Sequence, residues 1–142
     1  MKIKYVIGLM SGTSMDGINA SLVKTNGEIL EQTGYQTILN YSKTTTSLLK
    51  EYVFNYQNLK HNNDFEDQLS YEIVNDHNNA ITEIKKISGI KPDLVGFHGQ
   101  TVFHNPKKNI SIQIGNGYLL SKMCKIKVVS NFRQNDINNG GE

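Results

Sequence analysis

A short apolar run that stops abruptly at a polar, glycine-rich turn constrains this chain more than any other stretch. Tyr5–Met10 reads Tyr-Val-Ile-Gly-Leu-Met, a length and composition that suit a buried strand. The run breaks into Ser11, Gly12, Thr13, Ser14, Met15, Asp16 and Gly17. Asp-Gly between apolar runs is a turn signal, because glycine enters positive φ without steric cost. Apolar residues resume at Ile18, Ala20, Leu22 and Val23, so the chain returns as a second strand. Glycines, hydroxyls and exposed N–H groups in one turn can hold a phosphate. Glycine lets backbone approach an anion, Thr13 and Ser14 can donate to its oxygens, and Asp16 can hold Mg²⁺ or its waters. An ordinary hairpin with a polar tip is the alternative on this stretch alone. A P-loop does not fit: Gly12 and Gly17 have its glycine spacing, but Ile18-Asn19 stands where Lys-Ser/Thr is required.

Composition narrows the classes. The 142 residues are one domain's worth, with 37% hydrophobic and 20% charged residues, ordinary values for a chain that builds a core. A formal charge of +2 announces neither a nucleic-acid nor a membrane partner. The single Cys124 allows no intrachain disulfide and fits a reducing compartment. No run approaches the roughly 18 apolar residues of a membrane span. Tyr5–Met10 behind Lys2 and Lys4 is shorter than the roughly 7–15 residues of a signal-peptide core, so the expectation is cytoplasmic. The 17 Asn and 15 Ile against two Ala read as a genome biased towards A and T. Against that background the lone Arg133 stands out.

Along the chain, Asn26-Gly27 marks a second turn and Ile29–Tyr41 a third strand. Thr44–Tyr56 is helical, with Leu48, Leu49, Tyr52, Val53 and Tyr56 on one face. Asn58–Asp64 is a polar connector. Asp64 is the expected cap of a long helix to Ser88, with Leu69, Ile73, Ala80, Ile81, Ile84 and Ile87 as its stripe, Gly89 as its C-terminal stop and Pro92 beyond. His77 lies inside this stripe and reads as a packed histidine, since no Cys or His partner sits at metal spacing. Asp93–Phe97 is a strand, Ile110–Ile114 another, Gly117–Met123 a short helix and Lys127–Val129 a last strand. Phe132–Glu142 is a polar, Asn/Gly-rich tail. The order predicts a mixed α/β sheet like the ribonuclease H core: meander, helix, strand, helix, strand.

His98-Gly99-Gln100-Thr101 follows the carboxyl end of a strand, where open α/β sheets place ligand sites. Gly99 lets backbone come close, and His98, Gln100 and Thr101 offer donors and acceptors suited to sugar hydroxyls. A polar strand-to-loop junction with a locally bonded His98 is the alternative. His98 and His104 lack a third ligand for a metal.

Four ordered stretches resemble one family. Gly8–Asn19 closely resembles the amino-terminal signature G-L-M-S-G-T-S-x-D-G-x-D of the anhydro-N-acetylmuramic acid kinases, departing only at Asn19. The run from His98 to Pro106 is similar to that family's H-G-Q-T motif with its following His and Pro. Gln113-Ile114-Gly115-Asn116 matches Q-I-G-[DN], and Phe132–Ile137 followed by Gly140-Gly141 resembles F-R-x-x-D-[IV]-x-x-G-G. These are sugar kinases of the actin-like, ribonuclease H-like ATPase superfamily. The resemblance implies that Gly12, Thr13, Ser14, Met15, Asp16, Gly17, Ile18 and Asn19 form a phosphate-binding loop for ATP. It implies that His98, Gly99, Gln100 and Thr101 line the sugar site. Arg133 then supports catalysis by orienting or neutralising the transferring phosphoryl group. The family uses ATP to phosphorylate the sugar's 6-oxygen while water, activated by an aspartate base, opens the 1,6-anhydro bridge, in cell-wall recycling. Asn19 can still hydrogen-bond but lacks the charge of the family's acid at this position.

The family pattern continues G-G-Q-G-A-P-L where this chain reads Gly140-Gly141-Glu142, and its base lies in a G-F-D-x-G-P-G-N-like segment with no counterpart here. The expectation is therefore an amino-terminal actin-like ATPase lobe over residues 1–142, without its own catalytic base and inactive alone. It would be completed by a separately encoded half, or would pair as a homodimer. A phosphate- or sugar-binding module without catalysis is the alternative. A ribonuclease H-like nuclease is disfavoured, because two-metal nucleases need clustered carboxylates and Tyr5–Met10 has none.

Overall fold

In the computed structural model, which describes residues 1–57 and 62–141, the apolar run and its return form a hairpin. Its strands are β1 (Lys4–Met10) and β2 (Gly17–Thr25), and β3 (Leu30–Asn40) completes an antiparallel meander. Asn26-Gly27 makes the second turn: the Asn26 side chain accepts the Glu28 and Ile29 N–H groups, and Gly27 adopts φ 96°. Two helices follow, α1 (Lys43–Gln57) and α2 (Asn63–Ser88), then β4 (Leu94–Phe97). A small hairpin, β5 (Gln100–Asn105) and β6 (Ile110–Ile114), precedes α3 (Gly117–Cys124), β7 (Lys127–Val129) and α4 (Phe132–Asn138). The main sheet has the order β3-β2-β1-β4-β7, and β5 and β6 form a separate two-stranded sheet. β1 runs parallel to β4, and β4 to β7. The expected mixed α/β sheet with flanking helices, in the ribonuclease H-like order, is what the chain adopts.

Strand alternation sorts the sheet into two unlike faces. Ile7 and Leu9 of β1, Ile18, Ala20 and Leu22 of β2, and Val95 and Phe97 of β4 are buried on one face. They belong to one core with Leu49 and Tyr52 of α1, Leu69, Ile73, Val74, Ala80, Ile81 and Ile84 of α2, and Leu120 of α3. Each large side chain so buried contributes about 1.5–3 kcal/mol against leaving it in water. The opposite face carries Gly8 and Met10, Asn19, Gln36 and Ile38, and Val129. Met10 is 60%, Ile38 73% and Val129 46% exposed, so no described residue covers this face.

Local chemistry explains where the elements begin and end, and corrects several expectations. The cap of α2 is Asn62, whose side chain accepts the Phe65 N–H at 3.3 Å. Asp64 instead sits in the first turn, where a carboxylate complements the helix dipole. The buried stripe ends at Ile84; Ile87 is 42% exposed beside Lys85 and Lys86, on a last turn that faces solvent. Gly89 stops the helix at φ 65°, with its N–H on the Lys85 carbonyl, as its position predicts. Of the connector expected at Asn58–Asp64, residues 58–61 lie outside the described residues. The tail contains the unexpected α4, a seven-residue helix burying only Ile137; asparagines are weak helix formers and leave no periodic signal there.

Gly17 is a glycine for packing reasons. A Cβ there would lie 2.5 Å from the Leu39 carbonyl oxygen and 3.2 Å from Asn40 Cα on β3. Gly17→Ala should therefore cost about 1–3 kcal/mol of stability, read from the urea midpoint. At Gly12 the nearest atom to an added Cβ is Ser14 Oγ at 4.0 Å, and Gly12→Ala should stay within about 0.5 kcal/mol of the parent.

Candidate phosphate and sugar site

Three parallel strands end side by side, and the residues that follow each of them form the site. β1 and β4 are in register from Val6 opposite Leu94 to Leu9 opposite Phe97, so Ser11–Asp16 and His98–Gly99 emerge at the same edge. β7 pairs with β4 up to Val129 opposite Gly96, which delivers Phe132 and Arg133 there too. Ligands of open α/β sheets bind at this edge, outside the carboxyl ends of the strands.

The first turn is held from within. The Met15 N–H bonds the Gly12 carbonyl at 3.0 Å, Met15 adopts φ 55°, and Ser14 Oγ donates to Asp16 Oδ1 at 2.9 Å. Thr13, Ser14 and Asp16 are exposed, and space around Gly12 is open. The structure divides the stretch Gly12–Asn19. Gly12, Thr13, Ser14, Met15 and Asp16 form the turn, whereas Gly17, Ile18 and Asn19 already belong to β2. Ile18 is 0% exposed in the core, and Asn19 pairs with Met10 on the bare face of the sheet.

The second turn joins the first through buried hydrogen bonds. Ser11 Oγ donates to the Gly99 carbonyl at 2.9 Å, and Gln100 Nε2 donates to the Gly12 carbonyl at 2.7 Å. Gln100 Nε2 also reaches the Thr101 carbonyl, and Gln100 Oε1 accepts from the Tyr41 hydroxyl, both at 2.7 Å. Burial pushes the Tyr41 phenol well above its usual range, so it stays a neutral donor. Gln100 is 0% exposed, and buried Thr101 accepts from Gln113 at 3.3 Å. Gly99 has φ 81°, and a Cβ there would meet the Ile114 carbonyl oxygen at 2.7 Å. Both constraints come from the protein itself.

His98 is the residue of this turn with a buried ring nitrogen, Nδ1, that has no partner. Its ring stands edge-on to Phe132 at 6.4 Å between centroids. Burial first and the Arg133 charge second hold its pKa below the usual histidine value, so the ring is neutral near pH 7. Arg133 is half-buried, and its Nε is likewise buried without a partner. A neutral imidazole and a fixed cation, each with an unanswered polar atom, are the groups here that a ligand would satisfy.

Beneath both turns lies His77. Its Nδ1 lies 2.7 Å from the Ile73 carbonyl and so carries the proton, leaving Nε2 facing Ser11 Oγ at 3.4 Å. Ser11 and Tyr41 are not singled out in the sequence, and Phe132 appears there only as part of a motif. Ser11 lies inside the expected turn but carries no separate signal, and Tyr41 becomes relevant only through contacts 59 positions away.

Among the described residues no group of three or more His, Cys, Asp or Glu could hold a metal. The donor set fits Mg²⁺ only in the manner that ion favours with nucleotides, one carboxylate together with phosphate oxygens and water. Asp16 is the exposed carboxylate of the turn that could serve. No described helix is long and apolar enough to cross a membrane.

The sheet order and the turns at its carboxyl edge place the chain among α/β lobes of the ribonuclease H-like, actin-like class. The family model described as Anhydro-N-acetylmuramic acid kinase matches residues 4–142. Proteins named anhydro-N-acetylmuramic acid kinase are 42% identical over 139 residues in Pelagibacter ubique and 34% over 139 in Gluconobacter oxydans. One in Methylorubrum extorquens is 35% identical over 161 residues. These alignments take in 96%, 97% and 100% of this chain but 37%, 38% and 42% of the relatives. The chain belongs to the anhydro-N-acetylmuramic acid kinase family, and it spans about two-fifths of the length of these relatives.

His77 sets a pH dependence. Burial is the main cause that lowers its pKa from 6.5 to about 4. A depressed histidine contributes stability that is complete above its unfolded value and is lost as pH falls from 6.5 towards 4, about 3 kcal/mol in all. Denaturant unfolding across that range should show the loss. His77→Leu should flatten most of the slope, and the lowered pKa of His98 acts with the same sign.

Proposed function

We propose that residues 1–142 form the amino-terminal lobe of an ATP-dependent sugar kinase whose acceptor is the 6-oxygen of anhydro-N-acetylmuramic acid, with hydrolytic opening of its 1,6-anhydro ring. The observation that carries this reading is the meeting of the Gly12–Asp16 turn, His98 and Arg133 at the ends of β1, β4 and β7. Family membership and the kinase names of the relatives support it.

Each group has a role suited to its chemistry. Open space at Gly12 and the exposed Thr13 and Ser14 let backbone and hydroxyl donors approach the ATP phosphates. Asp16 would hold Mg²⁺, which when bound neutralises phosphate charge. His98, neutral with Nδ1 unpaired, would hydrogen-bond the sugar beside Gly99. Arg133 would place a permanent positive charge against the phosphoryl group, the electrostatic help that phosphoryl transfer mostly needs. The general base and the facing wall of the cleft would come from polypeptide that the relatives carry outside the matched part. Without that polypeptide, residues 1–142 would bind without turning over.

Titration calorimetry tests the reading. The chain should bind Mg²⁺-ATP. Arg133→Ala should weaken that binding by about 10-fold, as expected for losing one charge-assisted contact of about 1.4 kcal/mol. Gly12→Ala should do the same at unchanged melting temperature, because its methyl would fill open space beside the turn without meeting the protein. A folded chain with no heat for ATP or for the anhydro sugar would overturn the assignment. Turnover of both at an ordinary enzymatic rate would overturn the claim that this lobe is insufficient.

A further inference from the structure

We infer that Gln100 is a positioning residue, a clamp that sets the phosphate turn after β1 at a fixed spacing from the sugar-facing turn after β4. The inference rests on the assignment of those two turns made above and gives Gln100 a different task from contacting the sugar.

The side chain is wholly buried, and its hydrogen bonds define its orientation. Two of its neighbours, the carbonyls of Gly12 and Thr101, can only accept, each at 2.7 Å. They therefore require both N–H bonds of the amide and oblige Oε1 to face the Tyr41 hydroxyl, which donates to it at 2.7 Å. Both amide hydrogens are committed to the protein, so Gln100 has no donor left for a ligand. What it holds is informative. The Gly12 carbonyl also receives the Met15 N–H that closes the turn, at 3.0 Å. Gln100 thus grips the same oxygen around which the phosphate turn is folded. Ser11 Oγ adds a second strut, to the Gly99 carbonyl at 2.9 Å. Two side chains, one from each turn, cross the gap in opposite directions, and Tyr41 at the end of β3 locks one of them from behind.

A glutamine suits this task better than its near neighbours in shape. Glutamate would set a carboxylate against two carbonyl oxygens, methionine has no N–H to offer either of them, and asparagine is one methylene shorter. Tight preorganisation of a phosphoryl-transfer site rests on such supporting contacts, because small misplacements cost rate and affinity steeply.

The experiment uses the 142-residue chain in three forms: parent, Gln100→Glu and Tyr41→Phe. Amide hydrogen exchange of Met15, measured relative to the β1–β2 ladder amides, reads the turn directly and needs no ligand. Gln100→Glu should speed Met15 exchange by about 10-fold or more, the effect of setting a carboxylate against the carbonyl that the Met15 N–H also bonds, while the ladder amides keep their protection. Tyr41→Phe, which leaves the amide in place but unlocked, should raise it by about 3-fold. In parallel, the Mg²⁺-ATP affinity of folded Gln100→Glu, measured well below its melting temperature, should fall with the turn's protection. Parent-like Met15 exchange in both variants, or in Tyr41→Phe if Gln100→Glu does not fold, would overturn the clamp. Equal loss of protection in the turn and in the ladder would also overturn it, showing a general structural role. If the parent chain does not bind ATP, the functional assignment fails, while the exchange experiment still decides whether Gln100 holds the turn.

Discussion

The parallel pairing of β1 with β4 is the constraint on which the site depends. Four register pairs, from Val6 with Leu94 to Leu9 with Phe97, join segments 88 positions apart. Parallel strands end at the same edge, so this pairing alone brings the turn after Met10 against the turn after Phe97. Asp93 reinforces the start of the pairing, with its carboxylate on the Tyr5 N–H at 2.9 Å and its own N–H on the Tyr5 carbonyl at 2.8 Å. At the far end, the ladder gives way to side-chain bonds from Ser11 and Gln100. The function proposed for the lobe lives in the few residues just past that change.

Those residues show that one motif can mix two kinds of necessity. Glycines at 17 and 99 answer steric demands of neighbouring strands, the Leu39 and Ile114 carbonyls. Gly12 answers no demand of the fold, and its open surroundings are what a ligand would need. The same division runs through the hydrogen-bonding residues. Ser11, Gln100 and Thr101 are turned inward, while Thr13, Ser14 and Asp16 face solvent. A signature read as one binding loop is, physically, an exposed tip on a packing base.

The packing base is unusually polar for a core. His77 and Asp76 are buried on α2; Asp76 accepts the Thr45 hydroxyl at 2.7 Å and the Ser42 N–H at 3.0 Å, tying down the start of α1. A buried carboxylate and imidazole are costly unless bonded, and here each has its partner. Satisfied networks of this kind favour one arrangement over near alternatives. Here that arrangement fixes the start of α1 to α2 and sets His77 beside Ser11.

Much of this was legible from residues alone. The broken apolar run and its return, the stripe of α2 with its Gly89 stop, and the histidine packed within that stripe follow from local rules of burial, turn chemistry and capping. So does the sheet class, because the order of elements restricts the topologies that bury both helices. α4 was not legible, since seven residues rich in asparagine carry no periodic pattern, and neither was the Asn62 cap, because Asp64 nearby has equal capping propensity. The sequence by itself determined the elements, the core face and the residue types available for phosphate and sugar chemistry, because these depend on neighbours in the chain. Only the tertiary structure decided which of them face solvent and which brace the site. Whether Gln100 presents its amide outward or spans to Gly12 depends on contacts with segments 59 and 88 positions away, and no local pattern encodes that distance.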